Sequence, residues 1–168
     1  KKQQAMSNVI CLDNGSFFLK AGFGGEDTPR VEMPNMIGTT KHASILVGTG
    51  NKKHYIGNEA IARRGTLNLK QPMEHGNVSD WDKMEEVWRY MFMNELKVAP
   101  EDHPVLMSFH LSNMTNNVNT LATFFESFNV PAMYIGVQSL FSLYGSGRTS
   151  GLIVDVGDGV TSTVPFYE

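Results

Sequence analysis

The sequence predicts an α/β protein built on a largely parallel sheet. Three observations lead there. Short apolar runs of strand length alternate with helical segments along the chain. Residues 79–98 carry an unbroken apolar stripe at helical spacing. A strand that ends in Asp-x-Gly occurs twice, at Asp13 and at Asp155. The composition, 41% hydrophobic and 18% charged over 168 residues, is that of a globular chain and excludes a disordered tail, a collagen or a coiled coil.

The elements follow in order. Asn8 to Leu12 is an apolar run ending in Asp13-Asn14-Gly15-Ser16, and Phe17 to Gly22 is a second strand, so the two form a hairpin turned at Asn-Gly. Gly22, Gly24, Gly25 and Pro29 mark a loop before a third strand at Val31 to Pro34. Residues 35–70 hold five glycines and the cluster Lys52-Lys53-His54 without a long helical period, which reads as an inserted small subdomain with a mobile loop from Lys41 to His54.

From Ser79 to Val98, Trp81, Met84, Val87, Trp88, Met91, Phe92 and Leu96 form one face of a helix. Ser79 and Asp82 resemble a capping box, and Pro100 and Pro104 are the expected stops. Val105 to Phe109 is a strand, and Asn116 to Phe128 a helix with Val118, Leu121, Ala122, Phe125 and Phe128 inward. Strands at Ala132 to Ile135, Leu152 to Asp155 and Val160 to Val164, with a short helix from Val137 to Tyr144, complete the reading.

The repeated turn carries the chemistry. Val9 to Ser16 and Gly151 to Asp158 share one pattern: apolar strand, Asp-x-Gly, polar residue, hairpin. One such turn is ordinary; two, with aspartates 142 positions apart, suggest a duplicated fold with facing lobes. Glycine-lined turns let backbone N–H groups converge on a small space, and two of them can clamp a polyphosphate. Aspartates at the strand ends offer hard oxygens for Mg²⁺, which keeps several waters. Lys20 can reach the phosphates as a point charge, and Gln138 can orient an attacking water without acting as a base.

Other classes are excluded or disfavoured. A net charge of −3, from 14 basic and 17 acidic residues, gives no footprint for nucleic acid. Cys11, the single cysteine, cannot form an internal disulfide or a cysteine zinc site; it reads as a small buried apolar residue in a reducing compartment. No apolar run approaches the roughly 18 residues of a membrane span. Residues 1–6 lack the apolar core of a signal peptide, so a cytosolic or nuclear protein is expected.

Specific stretches then narrow the reading: Leu12-Asp13-Asn14-Gly15-Ser16, Leu19-Lys20-Ala21-Gly22-Phe23, Glu74-His75-Gly76, Val98-Ala99-Pro100-Glu101, Phe128-Asn129-Val130-Pro131-Ala132-Met133-Tyr134, Ser146-Gly147-Arg148-Thr149 and Asp158-Gly159-Val160-Thr161. Together they resemble the actin family, as a divergent actin or actin-related protein. The resemblance implies the ribonuclease H-like ATPase fold of actins, Hsp70 chaperones and sugar kinases, here the first lobe with the start of the second. Residues 1–34 and 71–146 look like subdomain 1, residues 35–70 like subdomain 2, and residues 147–168 like the start of subdomain 3. Actins are more than twice as long, so the segment looks like the first half of a longer protein.

The resemblance also implies ligands and roles. ATP or ADP with Mg²⁺ or Ca²⁺ would sit in the cleft. Asn14, Gly15, Ser16, Phe17 and Lys20 would form the first phosphate site, and Gly157, Asp158, Gly159 and Val160 the second. Asp13, Gln138 and Asp155 would hold the cation's waters, with Gln138 orienting the hydrolytic water. His75 matches the histidine often methylated in actins, and Tyr144 and Gly147 match the hinge and rim of the cleft used by actin-binding proteins. Implied partners are actin-like subunits, actin-binding proteins, or a motor or remodelling complex, in the cytoplasm, on the cytoskeleton, or in the nucleus. Weak ATPase activity is the most to expect, and none from this segment alone. The sequence departs from the family pattern at Phe17 (glycine in actins), Ser162 (histidine) and Val156 (serine), and lacks the prolines usual near Phe109 to Asn113.

Overall fold

A computed structural model describes residues 8–41, 52–111 and 117–167. The chain opens with β1 (Ile10–Asn14), β2 (Phe18–Phe23) and β3 (Val31–Pro34). Next come β4 (Ile37–Thr40), β5 (Tyr55–Ile56), α1 (Asn58–Ala62), β6 (Leu67–Lys70), β7 (Met73–Glu74) and β8 (Asn77–Val78). The long helix α2 (Trp81–Tyr90) runs on through a wider π-helical segment (Met91–Leu96). After β9 (Val105–Phe109), α3 (Asn117–Ala122) continues the same way through Thr123–Ser127. The last elements are β10 (Met133–Val137), α4 (Gln138–Gly145), β11 (Gly151–Val156) and β12 (Thr161–Phe166).

The main sheet has the order β10-β9-β1-β2-β3. β1, β9 and β10 are parallel, whereas β2 and β3 are antiparallel additions at one edge. The expected largely parallel sheet is therefore a mixed one, because the short loops after β1 and β2 permit only antiparallel returns. The β4, β5 and β6 strands form a separate antiparallel sheet with α1, and Tyr55, Ala60 and Leu67 form a small core of their own. The proposed loop from Lys41 to His54 lies mostly outside the described residues.

Alternation along the strands sorts the sheet into two faces. Ile10 and Leu12 of β1, Leu19 and Ala21 of β2, and Val105 and Met107 of β9 are buried on one face, in a core they share with α2 and Phe124. The opposite face carries Cys11, Asp13, Lys20, Leu106 and Ser108, all half-buried. Burial pushes the Cys11 thiol up, which keeps it protonated.

The apolar stripe of α2 is buried as its spacing predicts: Met84, Val87, Trp88, Met91 and Phe92 are fully enclosed. Its start differs from the expected capping box. Asp80 is the N-cap and accepts from the Lys83 N–H at 3.2 Å, while the Ser79 hydroxyl donates to the Pro72 carbonyl. Its end is set by Lys97 in the left-handed conformation (φ 59°), ahead of Pro100. The hydrogen bond from the Lys83 ammonium, then that from its backbone N–H, holds the Asp80 carboxyl below the usual carboxylate range. A depressed value means stability present above the unfolded value of about 3.9 and lost as pH falls through the folded one. Asp80→Ala is expected to cost about 1 kcal/mol at neutral pH, a difference that shrinks as pH is lowered, read by urea unfolding across pH.

The second helix corrects the inward set. Thr120, Phe124 and Phe128 are buried, whereas Val118 is 71% and Phe125 44% exposed. The buried positions recur every four residues from Thr120, offset from the expected set already in the regular turn before the wider segment Thr123–Ser127. Phe124 packs edge-on against Trp88 (ring centroids 5.0 Å apart) and Phe128 (5.5 Å). The stretch that would begin this helix at Asn116 is outside the described residues.

Among the described residues a side-chain hydrogen bond joins the segment just before β5 to α2: His54 Nδ1 meets Glu86 Oε2. Glu86 is 41% exposed, so the pair is screened, and Glu86→Gln is expected to cost under about 1 kcal/mol in the same unfolding measurement.

Candidate functional site

Both Asp-x-Gly turns open onto one cavity of about 280 Å³. Every sequence-predicted site residue lines it: Asp13, Asn14, Gly15, Ser16, Phe17 and Lys20 from the first turn and its strands, Asp155, Gly157, Asp158, Gly159 and Val160 from the second, and Gln138 at the start of α4. The first turn is the loop 15–17 between β1 and β2, and the second is the loop 157–160 between β11 and β12. Residues from opposite ends of the sequence thus line one cavity, and Ser16 of the first turn lies directly against Gly159 of the second.

The turns touch through their small residues. A Cβ on Gly159 would run into the Ser16 hydroxyl and come within 2.9 Å of Ser16 Cβ, so only glycine fits there. A Cβ on Gly15 would lie 2.6 Å from the Phe18 carbonyl oxygen. The β7–β8 turn is the third wall. Gly76 N–H donates to Ser16 Oγ at 3.2 Å, and His75, at φ 51°, places Nδ1 3.3 Å from the Gly159 carbonyl oxygen. His75 and Gly76 therefore tie the two turns together, a role the sequence reading missed.

Several site side chains are already engaged. Asn14 accepts from Trp88 Nε1 at 3.3 Å, and its amide points at the Met73 sulfur at 3.2 Å. Fully buried Asn35 donates to the Gly15 carbonyl at 2.9 Å, and its backbone N–H to the Phe17 carbonyl at 2.7 Å, so the first turn is pinned from below. The Phe17 ring stands edge-on to Phe18, centroids 4.8 Å apart, and both rings line the cavity. Asp13, opposite Lys20 on β2, accepts from the Ser108 hydroxyl at 2.5 Å.

Three carboxylates (Asp13, Asp155 and Asp158) and one lysine line the cavity. That balance repels a polyphosphate unless a cation accompanies it. The donors suit a hard cation: aspartate oxygens and the Gln138 amide. Among the described residues no three His, Cys, Asp or Glu side chains converge as direct ligands, so these groups would reach a cation through its waters. Beside Asp155, across the hairpin, the Ser162 hydroxyl is buried with no hydrogen-bond partner among the described residues. Ser162 is not among the residues that line the cavity; the glycine cradle is what fits a site built around a polar ligand.

The whole described chain carries this signature. The family model described as Actin matches residues 4–168. The chain belongs to the actin family. Among curated relatives, an "Actin-like protein" of Neurospora crassa is 45% identical over 161 residues, covering 95% of this chain. The chain spans 42% of that relative's length. The mixed sheet with its duplicated turn is the N-terminal part of the actin-type ATPase fold, and actins generally bind a nucleotide and a divalent cation. Among the described residues, no helix of this actin-family chain is long and apolar enough to cross a membrane. The hinge and rim residues taken from the family pattern, Tyr144 and Gly147, lie at the end of α4 and just beyond it, with Tyr144 56% exposed and Gly147 at φ 74°.

Proposed function

We propose that this chain forms the first lobe of an ATP-binding, actin-like protein whose nucleotide state governs assembly into a filament or a larger complex, with slow hydrolysis. The convergence of both turns on one cavity, with Gly159 seated against Ser16, carries the reading. In it, residues 1–34 and 71–146 act as subdomain 1, residues 35–70 as subdomain 2, and residues 147–168 begin subdomain 3. The protein would work in the cytoplasm, on the cytoskeleton or in the nucleus.

The residues divide the work. Backbone N–H groups of the loops 15–17 and 158–160 would face the phosphates, the Gly157 N–H being held by the Val160 carbonyl, and Lys20 adds a charge. Asp13, Asp155 and Gln138 hold the waters of Mg²⁺ or Ca²⁺, which when bound offsets the charge shared by the phosphates and the aspartates. Gln138 heads α4, and its amide has no hydrogen-bond partner among the described residues, so it is available to orient a water.

Phe17 favours a second reading, a non-polymerising actin-related subunit of a dynein, dynactin-like or chromatin-remodelling assembly, in which the nucleotide is a structural ligand. Its ring occupies the turn that must approach the phosphates. Calorimetry of the full-length protein with Mg-ATP tests the shared claim, and absence of binding overturns it. Sedimentation under polymerising salt separates the two, since filaments pellet and an isolated subunit does not.

A further inference from the structure

We propose that Ser108 is a positioning residue for the cation site, an inference that rests on the nucleotide reading above. The parallel pairing of β1 with β9 sets Ser108 beside Asp13, and the antiparallel pairing of β1 with β2 sets Lys20 on Asp13's other side. All three side chains share one face of the sheet and line the same cavity. Asp13 thus sits between a hydroxyl and an ammonium.

The two neighbours are used differently. Ser108 Oγ donates to Asp13 Oδ1 at 2.5 Å. Among the described residues this is the one hydrogen bond the Asp13 carboxylate receives, and no ion pair joins Asp13 to Lys20. A carboxylate released from Ser108 would be free to swing to Lys20. That pairing would neutralise the charge that draws the cation and the charge that meets the phosphates. By anchoring Oδ1 to β9, Ser108 leaves Oδ2 for a cation-bound water and keeps Lys20 free. Groups that orient a metal's carboxylates in this way change metal affinity about 10- to 100-fold when removed.

The test titrates Mg²⁺ into the full-length protein at fixed ADP, with thermal unfolding in chelator as the check on folding. Ser108→Ala is expected to weaken Mg²⁺ binding about 10- to 100-fold at an unchanged unfolding midpoint, and Ser108→Thr, which keeps the hydroxyl, to restore wild-type affinity. Wild-type affinity in Ser108→Ala overturns the assignment. So does a Ser108→Thr variant as weak as the alanine, which would assign the effect to packing. A wild-type protein that binds neither Mg²⁺ nor ADP overturns the nucleotide reading and this inference with it.

Discussion

Gly159→Ala is expected to weaken Mg-ATP binding by the full-length protein about 10- to 100-fold. The new methyl group would need the space of the Ser16 side chain and would lie 3.3 Å from the Gly76 nitrogen. Neither neighbour can yield freely, because Ser16 Oγ accepts from that same N–H and His75 faces the Gly159 carbonyl. Forcing a methyl group into a packed contact costs about 1–3 kcal/mol, and each 1.4 kcal/mol is tenfold in affinity. The strain falls on the contact that sets the spacing of the two turns. Gly65→Ala is the control: nothing lies within 4 Å of its Cβ position, so binding should be unchanged. Calorimetry on both variants decides the matter, and equal affinities would show that the closeness of the turns is not what binds nucleotide.

The second large effect concerns hydrolysis. The full-length protein is expected to release phosphate about 10²-fold more slowly than conventional actin, the scale of loss when a group that positions a reactant is displaced. Phe17 puts an aromatic ring in the first turn, braced edge-on against Phe18 and with its carbonyl held by Asn35. Ser162 lies across the hairpin from Asp155 with an unpartnered buried hydroxyl, where the family pattern has an imidazole that could reach a water. Restoring glycine at 17 and histidine at 162 together should recover most of the rate. Single-turnover phosphate release measures it, and a wild-type rate equal to that of conventional actin would refute the expectation.

Much of the site was legible because it is local. Each Asp-x-Gly turn is a few consecutive residues, and the strand before each is an apolar run. The stripe of α2 was legible for the same reason, since a helix repeats its pattern over neighbours a few positions apart. The bond from Ser108 to Asp13 was not, because it depends on two strands 95 residues apart lying parallel in one register. Nor were the contacts of the β7–β8 turn, which join Gly76 to Ser16 of the first turn 60 residues away and His75 to Gly159 of the second 84 residues away.

What the sequence by itself determined is the set of elements and the family: alternating strands and helices, one amphipathic helix, two Asp-x-Gly turns, and runs specific enough to resemble actins. Tertiary structure decided how those pieces share space. It set β9 and β10 parallel to β1, on the side away from the β1–β2 hairpin already legible in the sequence, because those pairings join strands far apart in the chain. It chose Asp80 over Ser79 as the cap, because the Ser79 hydroxyl is taken by Pro72. It turned Phe124 inward and Phe125 outward, because Phe124 continues the face of Thr120 and packs against Trp88, Phe92 and Phe128. It also made glycine necessary at 159, because the side chain that excludes any larger residue, Ser16, comes from the other turn.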